Sequence, residues 1–158
     1  MHPRATTFVE RARAECGFEP AVEEFPDGTK TATDAADAVG CAVGQIASSL
    51  VFDVAGSLVV SVTSGANRVD EAALAEAVDA APDDVSMADP DRIRDQLGWS
   101  IGGVPPFCYE RTVPVVVDET LLEFETVWTA AGTPQAVFPI DPDRLLEYAD
   151  ATPAAVAE

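Results

Sequence analysis

The chain has 158 residues, 28 of them acidic against 9 basic, giving a formal net charge of -19. That length bounds a single domain with a core of its own, and a charge of that sign argues against nucleic acid, DNA included, whose phosphates are held by Lys and Arg, an objection that molar salt weakens without removing. The acids are spread along the chain instead of gathered in a tail, which predicts a surface adapted to high salt and a halophilic source.

No apolar run approaches the roughly 18 to 20 residues that a membrane span needs. The opening MHPRATTFVERARAE lacks the apolar core of a signal peptide, so a cytoplasmic protein is expected. Cys16, Cys41 and Cys108 are odd in number and far apart, and the single histidine is His2. Neither a disulfide framework nor a zinc site follows from that spacing, and no metal or cofactor is expected.

In chain order, Phe8, Val9 and Ala12 with charges between them predict an amphipathic helix from Arg4 to Cys16, stopped by Gly17. His2 is expected to sit at a mobile end. Ala21 to Phe25 reads as a short strand closed by a Pro26-Asp27-Gly28 turn. Thr33-Asp34 caps a short helix through Ala38, and the apolar runs Leu50 to Val54 and Leu58 to Val62 flank Ala55-Gly56-Ser57 as a hairpin. Asp70 caps a helix through Ala80, and Val85 to Met87 is a short strand. Asp89-Pro90 opens a helix through Leu97.

The stretch Gly98 to Asp118, GWSIGGVPPFCYERTVPVVVD, organises the rest. Gly102 and Gly103 free the backbone while Pro105 and Pro106 stiffen it, so the loop can aim main-chain N–H groups in one direction. It enters a β-branched strand from Thr112 to Val117 that ends on Asp118, a carboxylate placed to wall a pocket. Beyond it come a helical turn at Glu119 to Leu122, strands at Val127 to Ala130 and Ala136 to Ile140, and a helix from Asp141-Pro142 through Tyr148. The alanine-rich remainder, about residues 150–158, reads as a frayed tail. This mixed order predicts an α+β fold over residues 1–158, a mixed and mostly antiparallel, barrel-like sheet surrounded by helices. No Walker loop, dinucleotide fingerprint or Gly-x-Ser-x-Gly elbow is present.

Five blocks in order, GQIASSLVF, LVVSVTSGANRVD, ADPDRIRDQLGWSIGGVPPF, VPVVVDETLL and VWTAAGTPQAVFPIDPDRLLEYA, resemble the YbaK and prolyl-tRNA-synthetase-associated editing domain family. The resemblance runs from about Phe8 to Val156. It implies a free-standing aminoacyl-tRNA deacylase that hydrolyses the ester of a small mischarged amino acid, of the Ala, Ser or Cys type, at the 3′ end of a non-cognate tRNA. It also raises association with an aminoacyl-tRNA synthetase. Carried onto this chain, the catalytic set is Gly102, Gly103, Asp118 and Ser48, with Ile46, Ser64, Gly65, Val104, Pro105, Pro106 and Cys108 lining the same cleft. The resemblance implies a water or the neighbouring ribose hydroxyl as the attacking or assisting group, so no nucleophilic side chain is required.

Two departures stand out. Ser48 occupies the position where the family usually has lysine, and serine has neither its reach nor its charge. Cys108 stands where the family commonly has glycine. Two readings therefore remain open: an active deacylase, and a family member that has lost catalysis and only binds aminoacyl-tRNA or a nucleotide-like ligand. A cation from elsewhere, such as Lys30, is expected to replace the family lysine if catalysis survives. Cys108 itself admits a thiol-nucleophile reading, with Arg111 the cation near in sequence that could activate it, against that of a buried thiol. Arg68, Arg92, Arg94 and Arg111 are candidates for phosphate contacts, against the plain reading of solvated surface arginines.

Overall fold

The structure is a computed structural model that describes residues 1–25 and 31–157; the Pro26-Asp27-Gly28 turn and Lys30 lie outside them. The helices are α1 (Pro3–Cys16), α2 (Ala32–Val39), α3 (Glu71–Ala77), α4 (Pro90–Leu97) and α5 (Pro142–Ala149). The strands are β1 (Glu23–Glu24), β2 (Ile46–Val54), β3 (Ser57–Ser64), β4 (Val85–Met87), β5 (Val115–Asp118), β6 (Val127–Ala130), β7 (Ala136–Ile140) and β8 (Thr152–Ala154).

The helices begin where side chains can take up their orphan N–H groups. Asp70, Asp89 and Asp141 each accept from N–H groups of the first turn, and proline follows directly after the last two. α2 is capped by Thr31, whose hydroxyl accepts from Asp34 N–H at 3.1 Å, two residues before the expected cap at Thr33. His2 is the cap of α1, its Nδ1 accepting from Arg4 N–H at 3.1 Å, so it belongs to the fold and not to a mobile end. α3 stops at Ala77, short of the expected Ala80, and Asp79 takes a left-handed backbone at φ 57.

All strands join one mixed sheet in the order β1-β7-β6-β2-β3-β5-β8, with β4 also on β2. The central hairpin β2–β3 is antiparallel and longer than expected, reaching Ala47 opposite Ser64. β5 starts at Val115, because at Pro114 only the carbonyl takes part, accepting from Val60 N–H. The sheet is covered on both faces. Phe8 of α1, Ile93 and Leu97 of α4 and Leu145 of α5 pack on one face around Val51, Val60, Trp99, Phe107 and Phe138. On the other, α3 covers Phe52, Val59 and Val116, and α2 covers Ile46 and Trp128.

The expected frayed tail is ordered through Ala157. β8 runs parallel to β5 with Asp118 opposite Ala154, Val156 is fully buried, and Ala157 bridges to Val69. The segment was unreadable because its partners, β5 and Val69, lie far away in sequence, whereas its own composition is alanine and proline.

One irregularity positions the site. β6 and β4 lie along the same edge of β2, but β6 pairs with Ile46 and Ala47 and β4 with Phe52 to Val54. Between them the edge at Ser48, Ser49 and Leu50 has no strand beside it. The Val51 carbonyl on this edge accepts from Ala88 N–H, so by the two-residue alternation of a strand the main-chain groups of Ser49 face the opening.

Candidate active site

A cavity of about 290 Å³ occupies that opening. Because it lies in a gap of the sheet, it is lined from both faces: Ser48, Leu50 and Trp128 with Ala32 and Ala35 of α2 on one side, Ser49, Thr129 and Val104 on the other. Gly102, Ile101, Thr133 and Pro134 close its rim.

The loop from Gly98 arrives there by a specific use of its two glycines. Gly102 has φ 88, a left-handed backbone that suits glycine. Gly103 is needed for close approach, since a Cβ there would stand 2.6 Å from Thr133 Cα and 2.8 Å from Thr133 N. Gly103 N–H donates to the Ser100 carbonyl at 3.1 Å and is not available to a ligand. Gly102 and Val104, by contrast, line the cavity, and their N–H groups meet no acceptor among the described residues. The pair of candidate donors is thus Gly102 and Val104 in place of Gly102 and Gly103. Pro105 and Pro106 are buried away from the cavity lining, and Tyr109 Oη donates to the Pro105 carbonyl at 2.7 Å, which fixes the loop from beneath.

Two hydroxyls at the cavity wall are unpartnered and buried, Ser49 Oγ and Thr129 Oγ1. Burial, with Cys108 adding, holds the Tyr109 phenol well above its ordinary range, and the nearby Ser49 side chain acts in the opposite sense. That proximity does not amount to an aligned hydrogen bond, since Ser49 Oγ has no partner of acceptable geometry. Residue-by-residue reading missed Ser49, Thr129 and Thr133, because only the gap between β6 and β4 brings them together.

Ser48 and Ile46 line the cavity as expected. Asp118 does not. It is 1 % exposed, its Oδ2 accepts from Ser64 N–H at 3.2 Å and Asn67 Nδ2 at 3.0 Å, and its Oδ1 accepts from Thr120 N–H at 3.0 Å. Those donors make it the cap of the 3-10 turn Glu119–Glu123 and the tie that holds the end of β3. Ser64 and Gly65 are likewise outside the lining: Ser64 Oγ donates to the Gly44 carbonyl at 2.7 Å, and Gly65 N–H donates to Ile46 O at 2.7 Å. Cys108 is buried off the cavity, and burial, with Glu15 and Cys16 nearby, pushes its thiol up to about 12, with Arg11 opposing. A buried thiol with a raised pKa, away from the cavity, fits the buried-thiol reading over the nucleophile one. Among the described residues no cluster of His, Cys, Asp or Glu could hold a metal ion, and no helix is long and apolar enough to cross a membrane.

The site is thus an opening through a mixed sheet, lined by Gly102 and Val104, whose N–H groups have no acceptor among the described residues, and by the hydroxyl side chains of Ser48, Ser49, Thr129 and Thr133. The aminoacyl-tRNA editing domain matches residues 26–148, and the chain belongs to that family. It is 30% identical over 128 residues to the uncharacterized protein YwhH of Bacillus subtilis, covering 80% of each chain. It is also similar to the crystal structure of a proposed trans-editing enzyme for prolyl tRNA synthetase, with a TM-score of 0.93 and 35% identity over 100% of this chain and 99% of that one. The hypothetical protein APE2540 matches with a TM-score of 0.84 and 26% identity, over 96% and 99% of the two chains.

Proposed function

We propose that this chain is a trans-acting aminoacyl-tRNA deacylase that removes a small mischarged amino acid, of the Ala, Ser or Cys type, from a non-cognate tRNA. The observation that carries the reading is the pair of unpartnered N–H groups at Gly102 and Val104 beside a cavity of about 290 Å³. Ester hydrolysis places negative charge on the carbonyl oxygen as a water oxygen, assisted by the adjacent ribose hydroxyl, attacks the carbonyl carbon. Fixed main-chain donors in a dry site stabilise that charge by about 3 kcal/mol each. The ester C–O bond then breaks, and the proton passes to the ribose oxygen that leaves.

In this reading Gly102 and Val104 hold the oxyanion, and Gly103 fixes their direction through its contact with Thr133. Ser48 hydrogen-bonds the terminal ribose or the attacking water. Asp118 acts at one remove, holding the end of β3. The volume suits a small side chain, with Ile46 and Trp128 excluding larger ones. The dispersed acidic surface goes with a salt-rich interior of the source cell, and a synthetase is a candidate partner for delivery.

The test is deacylation of a panel of mischarged tRNAs in high potassium chloride. Release of one or two small amino acids, lost in Gly102→Ala, supports the enzyme. Tight binding of aminoacyl-tRNA without turnover supports the binding-only alternative, which the uncharged Ser48 at the cavity favours.

A further inference from the structure

A second hollow, of about 530 Å³, adjoins the first and shares Leu50 and Met87 with it. Leu50 lies two residues from Ser48 on the same face of β2, so a ligand anchored at Ser48 can continue along that face without leaving the protein. Met87 is 55 % exposed, a large apolar side chain left facing solvent where the two hollows meet. At the second hollow stand Asn67 and Arg68.

Arg68 differs from most arginines of this chain. Arg11, Arg13, Arg92 and Arg94 are each tied to a carboxylate, and Arg4 lies over the Trp99 ring. Arg68, Arg111 and Arg144 have no such partner among the described residues, although the chain carries a threefold excess of acids. Neither Arg111 nor Arg144 lines either hollow. Two carboxylates share the second hollow with the guanidinium, the half-buried Asp70, whose Oδ1 accepts from Ala72 and Ala73 N–H, and the exposed Glu71, and neither is ion-paired with it.

We propose that this second hollow is a phosphate subsite in which Arg68 grips the phosphodiester next to the esterified nucleotide, with Met87 and Leu50 against the base between. A guanidinium presents a planar fork of donors that matches phosphate oxygens. An unpaired one beside a solvent-facing methionine, in line with the ester cavity, suits the single-stranded end of an RNA. The subsite rests on the aminoacyl-tRNA reading above and adds to it a place for the chain that carries the ester.

The test is the affinity of a 5′-labelled single-stranded RNA ending in CCA, measured by fluorescence anisotropy across a potassium chloride series. Arg68→Gln should weaken binding about tenfold at low salt and lower the log–log salt slope by about 0.7, the value for one phosphate contact on a single strand. Arg68→Lys should keep the slope with part of the affinity, and Arg144→Gln should match wild type. Wild-type affinity in Arg68→Gln, equal losses in both glutamine variants, or no binding by wild type at the lowest salt would each overturn the subsite. The two readings fail separately. Binding through Arg68 without ester turnover keeps the subsite and sinks the deacylase, whereas turnover of an aminoacyl-adenosine, which has no phosphate, with binding indifferent to Arg68 does the reverse.

Discussion

Gly103 lies with its Cα against the main chain of Thr133, close enough that an added Cβ would meet Thr133 Cα at 2.6 Å and its carbonyl carbon at 2.9 Å. This contact joins the loop after α4 to the turn between β6 and β7, and it fixes the chain between Gly102 and Val104. Backbone cannot yield as a flexible side chain can. Gly103→Ala should therefore cost about 1 to 3 kcal/mol through overpacking and shift the loop off the cavity. Gly102→Ala meets only Pro134 Cγ at 3.4 Å, an ordinary contact, but it places a side chain at φ 88, at a cost of about 1 to 2 kcal/mol. Thermal melts of both variants, with turnover measured on the folded fraction, check this. A Gly103→Ala protein as stable and active as wild type would remove the loop from the argument.

Asp118 is a buried carboxylate whose acceptors serve three donors: Ser64 N–H, Asn67 Nδ2 and Thr120 N–H. Asp118→Ala leaves them without that partner, at about 1 to 3 kcal/mol for each buried group left unsatisfied, so a marked fall in melting temperature is expected. Turnover per folded molecule should stay near wild type, because the carboxylate is not at the cavity. The opposite split, wild-type stability with turnover lost, would mean that Asp118 touches substrate.

Local chemistry made much of this fold readable. The caps at Asp70, Asp89 and Asp141 announce their helices through residues adjacent in sequence, and each helix starts where its cap says. Asp118 carried the same signal, since it accepts from the N–H two residues on, as Asp70 does; its place at a strand end drew attention to a pocket instead. The cavity was not readable. It exists because β6 and β4 stop short of each other along β2, and strand pairing at that distance leaves no trace in the residues of β2 itself. The β8 strand was hidden for the same reason. The family blocks supplied what periodicity did not, namely that Ser48 and Gly102 meet at one hollow, though they also suggested Ser64 and Gly65, which serve the backbone of the β3 end instead.

Ser48 is half-buried on the cavity wall, at the position where the family resemblance leads to the expectation of a lysine. Ser48→Lys places a cation beside the reacting ester and the ribose. A hydrogen bond from a charged donor is stronger than one from a hydroxyl by about 1 kcal/mol or more, so turnover of the preferred mischarged tRNA should rise by about tenfold. Ser48→Ala should lower it. If Ser48→Lys leaves turnover unchanged while Ser48→Ala abolishes it, serine has its own role here and the site has diverged from its family in mechanism.

Cys108 combines a left-handed backbone, φ 69, with a buried thiol raised from 9.0 to about 12, chiefly by burial. A left-handed backbone is one that glycine adopts without strain, which agrees with the glycine that the resemblance leads one to expect here. Replacing Cys108 by glycine removes the strain of a side chain at positive φ, about 1 to 2 kcal/mol, and loses the burial of a small apolar group of similar worth, so stability should change little at pH 7. The pH dependence separates the two effects. A folded-state value above the unfolded one means that the folded protein holds the proton longer, so the thiol contribution is complete below about pH 9 and is lost as pH rises from there towards 12. Wild type should therefore lose melting temperature over that alkaline range more steeply than Cys108→Gly. The thiol should also resist alkylation at pH 8 while the partly exposed Cys16 and Cys41 react. Rapid labelling of Cys108 in the folded protein, or turnover that is lost with the thiol while stability is kept, would return it to the list of groups that touch substrate.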